Sequence, residues 1–140
     1  MQNTFKKTLL ATAAASLIAG AAHADIKVGV ILGFTGPIES LTPAMADSAE
    51  LAFDEASNSG LLLGGDSIVS VRGDSTCVDA AAATAAAERL VNSDGVVAIM
   101  GADCSGVTGA IAKNVGAPNG VAMISPSATS PGLTSIDDNG

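Results

Sequence analysis

The 140-residue chain has no tryptophan, no tyrosine, a single histidine, two cysteines and only six lysines and arginines. Each shortage excludes something. The one histidine, His23, lies in a stretch that reads as a leader to be removed. A mature chain without histidine has no Ser-His or Cys-His pair and no imidazole metal ligand. With tyrosine and tryptophan absent as well, only Phe34 and Phe53 remain as aromatics beyond that leader. The shortage of bases leaves Lys27, Arg72, Arg89 and Lys113 against 14 acids. An acidic surface opposes nucleic acid and anionic membranes. The acids are scattered rather than run together, which suits a solvated surface.

The leader is residues 1–24. Lys6 and Lys7 form a basic start, residues 8–22 are apolar and small, and Ala22-His23-Ala24 supplies an A-x-A cleavage signal. This reads as a secretory signal peptide, its apolar run too short to span a membrane. Residues 25–140 are then enough for one modest core. Two cysteines in an exported chain most simply form one disulfide, Cys77 to Cys104. The rival, a free nucleophilic thiol, lacks a histidine to activate it.

The rest alternates strands and helices. Residues 26–32 (IKVGVIL) are a β-branched apolar run and form the first expected strand, followed by a Gly33-Phe34-Thr35-Gly36-Pro37 turn cluster. Thr42-Pro43 marks a helix start in cap-then-proline order, with Met45, Ala49, Ala52, Phe53 and Ala56 on one face until Asn58-Ser59-Gly60. Residues 61–65 are ambiguous, and a second strand is expected over 67–72. The alanine-rich run 78–92 is a helix by propensity, its small side chains letting it sit close on a sheet. A third strand is expected over 96–100 and a third helix over 105–115, with Gly116 at its end and Pro118 beyond. Residues 121–124 form a short fourth strand. The fold class is therefore α/β, a parallel sheet with helices on both faces.

In such a sheet the loops after the strands emerge on one edge, where open α/β sheets place ligands. These loops are 33–39, 73–77, 101–105 and 125–132, rich in Gly, Ser and Thr and poor in charge. They suit a small ligand bearing a carboxylate or other anion. Ser105 and the amides after it are the leading candidate, either as an N-cap or as an anion contact. Ser127 and Thr129 read equally as ligand contacts or as turn residues held by Pro126 and Pro131. Catalytic motifs fail. Gly29, Gly33 and Gly36 lack the G-x-G-x-x-G spacing, and Asp103 stands where a G-x-S-x-G elbow needs its first glycine. Asp74 and Asp103 flank the cysteines, but two acids alone are weak evidence of chemistry.

Several of these stretches together resemble a known family. They are Gly73-Asp74-Ser75-Thr76-Cys77, Gly101-Ala102-Asp103-Cys104-Ser105, Ile124-Ser125-Pro126-Ser127-Ala128-Thr129-Ser130-Pro131, and the opening Ile26-Lys27-Val28-Gly29-Val30 with Phe34-Thr35-Gly36-Pro37. The chain is similar to the periplasmic binding proteins of branched-chain amino-acid ABC importers. That resemblance implies the type I fold, two α/β lobes closing on an amino acid, with residues 25–140 as part of lobe 1. It implies that Cys77–Cys104 is the first-lobe disulfide and that Ser105 holds the ligand's α-carboxylate. It also implies that Ser127, Ala128 and Thr129 bind carboxylate and ammonium. It further implies a periplasmic, monomeric, non-enzymatic protein that delivers its ligand to a membrane permease and needs no cofactor or metal. Two departures stand out. Family members often place an aromatic residue of the first loop against the ligand, and residues 38–41 hold none. The second lobe is missing by Gly140, so the chain is expected to be a fragment. The rivals are a ligand-sensing receptor or regulatory domain of the same fold and a secreted hydrolase.

Overall fold

A computed structural model describes residues 25–137; the expected signal peptide lies outside the described residues. Four parallel strands form one sheet. They are β1 (Asp25–Leu32), β2 (Ser67–Asp74), β3 (Ala98–Gly101) and β4 (Ala122–Ile124), in the order β2-β1-β3-β4. The chain moves outward from β1 to β2, then returns to the other side of β1 for β3. That reversal puts the loops after β1 and β3 side by side at a topological switch point, the crevice position of open sheets. The register pairs Val30 with both Arg72 and Met100, and Ile31 with both Gly73 and Gly101.

Period-two alternation in β1 sends side chains to opposite faces, and both are covered. Ile31 joins Ala83, Ala87, Leu90, Ile99, Val107 and Ile111 in one buried cluster. Val30 and Leu32 meet Ala46, Met45 and Phe53 on the other. The helices are α1 (Thr42–Asn58) on the second face, and α2 (Ala80–Arg89) with α3 (Ser105–Ile111) on the first. Ala83 and Ala87 are fully buried, so the alanine run does bring its helix close to the sheet. Gly73 and Gly29 leave room for Leu90, which a Cβ at those positions would meet at 3.0 and 3.2 Å.

Several boundaries differ from expectation, each for a local reason. Thr42 is not a cap: Leu41 holds that position without a side-chain bond. The Thr42 hydroxyl, fully buried, instead donates to the Gly33 carbonyl at 3.0 Å, where a loop carbonyl would otherwise be unsatisfied. Ala52 faces solvent and Ala46 takes the buried place on α1. The α2 helix starts later than expected because Asp79 caps it, accepting from the Ala81 and Ala82 amides. It then widens into a π-type turn, Leu90–Asp94, closed by Gly95 at φ 75°. There Arg89 pairs with Asp94, and β3 begins two residues late. The α3 helix does not stop at Gly116. A π-type turn, Ala112–Gly116, passes into Ala117–Asn119, where Pro118 sits in the first turn that tolerates proline. Residues 61–65 hold the 3-10 turn Leu62–Gly64, and a second one, Pro131–Ser135, closes the last loop.

An apolar patch over the sheet stays open. Val28, Phe53, Met100 and Ile124 surround a hollow of about 300 Å³ on the α1 side of β3 and β4, and Ile124 is 75% exposed.

Candidate functional site

All four strand-end loops meet at one edge, and hydrogen bonds show how. After β1, the Gly33 amide donates to Asp103 Oδ2 at 2.9 Å. Thr35 donates to Asp74 through both its amide (3.3 Å) and its hydroxyl (2.6 Å). After β2, Thr76 and Cys77 adopt left-handed backbone, φ 56° and 69°, and the Thr76 amide donates to Asp74 Oδ1 at 2.8 Å. Cys77 is joined to Cys104 at a sequence separation of 27, so the bond ties the β2 loop to the start of α3.

After β3, Ala102 is fully buried and Asp103 is 3% exposed. The Ala102 carbonyl accepts from the Thr108 and Ser125 hydroxyls. After β4, Ser125 Oγ in turn accepts from the Ala128 amide at 2.9 Å. The Ser127 hydroxyl donates to the Asp103 carbonyl at 2.9 Å. Among the described residues no group of three or more His, Cys, Asp or Glu side chains is placed to hold a metal.

Ser105 lies at the centre of this arrangement. It is not the helix cap, a place taken by Cys104 without a side-chain bond. Its hydroxyl oxygen instead accepts from the Thr129 and Ser130 amides, both at 3.0 Å. A serine hydroxyl has two lone pairs and one proton. Both lone pairs are engaged, so what Ser105 offers a ligand is its proton.

The sequence-derived residues therefore come together, with roles more divided than expected. The amides of Ser127, Ala128 and Thr129 are engaged within the protein, the first two on Ser125 Oγ. The Ser127 hydroxyl braces the loop against Asp103. At this edge Thr129 is exposed and Ser105 half-buried. Hydroxyl protons suit a carboxylate, and carbonyl oxygens suit an ammonium. Sequence reasoning missed Asp103 as the buried junction of the loops and Ser125 as the brace of the last one. An acid flanked by Ala and Cys in an otherwise uncharged turn was the available signal.

Asp74 is held below the ordinary carboxylate range. Partial burial pushes its pKa upward, but hydrogen bonds from the Thr35 hydroxyl, the Thr76 amide and the Thr35 amide outweigh that and lower it. A depressed folded-state pKa stabilises above the unfolded value and is lost as pH falls through the folded one. Asp74→Asn is accordingly expected to lower the melting midpoint at pH 7. The difference from wild type should shrink on acidification below about pH 4 and vanish once both carboxyl forms are neutral. A constant difference from pH 7 to pH 2 would show that the charge of Asp74 contributes nothing.

Comparison with known proteins gives a consistent picture. The family described as periplasmic binding protein matches residues 25–138. A Leu/Ile/Val-binding protein of Rhizobium johnstonii is 37% identical over 129 residues, 91% of this chain and 34% of its own. A Leu/Ile/Val/Thr-binding protein of Salmonella typhimurium is 36% identical over the same shares. Among solved structures, the substrate-binding protein of a branched-chain amino-acid transporter from Streptococcus pneumoniae, in complex with isoleucine, superposes with a TM-score of 0.71 at 34% identity. It covers 79% of this chain and 31% of that one. A second, from Rhodospirillum rubrum, gives 0.73 at 25% identity, covering 81% and 32%. The chain thus spans about a third of the length of the relatives it matches.

Proposed function

The chain belongs to the periplasmic binding protein family, and on that footing we propose that it captures an aliphatic amino acid for an ABC importer. The observation that carries the reading is Ser105. Its hydroxyl oxygen accepts from the Thr129 and Ser130 amides at the switch point of the sheet, which leaves its one proton to donate to a carboxylate. Ser127, Ala128 and Thr129 complete the grip: Thr129 through its hydroxyl, the loop carbonyls toward the ammonium. Relatives named for binding Leu, Ile and Val, and a structural neighbour holding isoleucine, support this ligand class.

The mechanism is binding with lobe closure rather than catalysis. Residues 25–140 are part of lobe 1, and a second lobe covers the ligand from the opposite side. The length of the relatives supports this, as does the apolar hollow over β3 and β4, which further chain would fill. Export through cleavage after Ala24 would place the clamp in the periplasm, where the Cys77–Cys104 bond persists. The partner that takes the ligand is a membrane permease, and the binding protein works as a monomer.

Isothermal titration of the full-length protein with a panel of L-amino acids tests the reading. Leucine, isoleucine and valine should bind, and aspartate and lysine should not. Ser105→Ala removes a hydrogen bond to a charged group, worth about 1.5–3 kcal/mol, and so should weaken leucine binding roughly 10- to 100-fold. A panel without any aliphatic binder, or an S105A protein with wild-type affinity, refutes the assignment.

A further inference from the structure

Asp103 is absent from the contacts just assigned to the ligand, yet it touches every loop that makes the site. Its Oδ2 accepts from the Gly33 amide of the β1 loop at 2.9 Å. Its Oδ1 accepts from the Ser75 hydroxyl of the β2 loop at 3.2 Å and from the Cys104 amide at 3.0 Å. Its backbone carbonyl accepts from the Ser127 hydroxyl of the β4 loop at 2.9 Å. Ser75 is fully buried and Asp103 nearly so, and in that setting each of these bonds is strengthened by low local dielectric.

The chemistry requires a carboxylate there. All three groups aimed at the side chain are donors, two of them backbone N–H groups on opposite oxygens. An ionised carboxylate is acceptor-only and serves them together. An asparagine of the same shape has to turn its amide nitrogen toward one of those N–H groups, whichever way it is flipped. A buried donor is then left facing another donor. Because Cys104 and Ser105 follow Asp103 directly, any shift there moves the Ser105 hydroxyl relative to Thr129 and Ser130.

We propose that Asp103 is the positioning residue of this site: its buried carboxylate sets where the Ser105 hydroxyl stands against the 127–130 loop. The proposal rests on the amino-acid-binding reading for its affinity consequence, but its structural half stands alone.

Two readouts on the full-length protein separate them. The first is leucine affinity of Asp103→Asn, beside Ala87→Gly, which loosens α2 in the core without removing any of the loop hydrogen bonds. D103N should bind leucine at least about tenfold more weakly while A87G stays within about twofold, at a temperature where both are folded. The second needs no ligand: hydrogen exchange of the Thr129 and Ser130 amides, whose acceptor is Ser105 Oγ. In D103N these two should exchange at least about tenfold faster while β1 amides keep their protection. Wild-type affinity in D103N, or an affinity loss in A87G as large as in D103N, overturns the proposal. If the wild type binds no amino acid, the function assigned above fails and the exchange readout alone decides on Asp103, unchanged exchange overturning it. Should D103N not fold, Ser75→Ala removes one of the three donors and leaves the carboxylate. It is expected to give a smaller change in the same direction in both readouts, and no change in either overturns the proposal.

Discussion

Gly101→Ala is expected to be the most damaging conservative substitution in the chain, costing about 4 kcal/mol or more and leaving little folded protein. Two independent effects add. Gly101 has φ 133°, a backbone region that L side chains rarely adopt. An alanine Cβ there would also stand 2.0 Å from the Ile31 carbonyl oxygen and 2.7 Å from Ile31 Cγ2. Neither neighbour can give way. Ile31 is fully buried and its strand is paired on both sides, with Gly73 and with Gly101 itself. Moving β3 off β1 to relieve the contact would also shift Asp103 and Ser105. Urea unfolding followed by circular dichroism measures the loss. A midpoint within about 1 kcal/mol of wild type would mean that β1 and β3 pack more loosely than these distances show.

Removal of the Cys77–Cys104 bond should have the second-largest effect, roughly 3–4 kcal/mol in the loop-entropy model for a closed loop of this length. The bond joins the β2 loop, with its left-handed Thr76 and Cys77, to the residue before Ser105. Without it, the unfolded chain gains freedom and the β2 loop is left to hydrogen bonds such as those of Thr76 with Asp74 and Asp79 and of Ser75 with Leu32 and Asp103. A Cys77→Ser/Cys104→Ser protein should unfold at markedly lower urea than oxidised wild type. Reduced wild type should move toward the variant, and the variant should ignore the reductant. If reduction shifts the midpoint by less than about 1 kcal/mol, loop closure is not what the bond contributes. On the proposed amino-acid-binding function, the double variant should also lose leucine affinity, because Cys104 beside Ser105 is no longer tied to the β2 loop.

Much of this was legible beforehand because it rests on local chemistry. Strand β1 announces itself through a β-branched apolar run, α2 through alanine propensity, and the loops through glycine, proline and hydroxyl clusters. Ser105, Ser127 and Thr129 stood out for the same reason, as hydroxyl residues at strand-end turns. The misplacements also have a common cause. Thr42 followed by Pro43 satisfies every local rule for a cap, but the buried Gly33 carbonyl, nine residues away, claims its hydroxyl. Pro118 looked like a stop, but a π-type turn set it where its missing N–H does no harm.

By itself, then, the sequence determined the alternation of strands and helices, the class of sheet and the edge where the strand-end loops gather. Each depends on hydrophobic period, propensity or turn chemistry within a dozen residues. Tertiary structure alone decided the division of labour at that edge. Which loop hydroxyls are engaged depends on partners 24 and 25 residues away, and why Asp103 must be a carboxylate depends on donors that lie 28 and 70 residues away in the chain. Only the crossing of β1, β2 and β3 brings them to one acceptor, and in a buried setting every such donor has to find a partner.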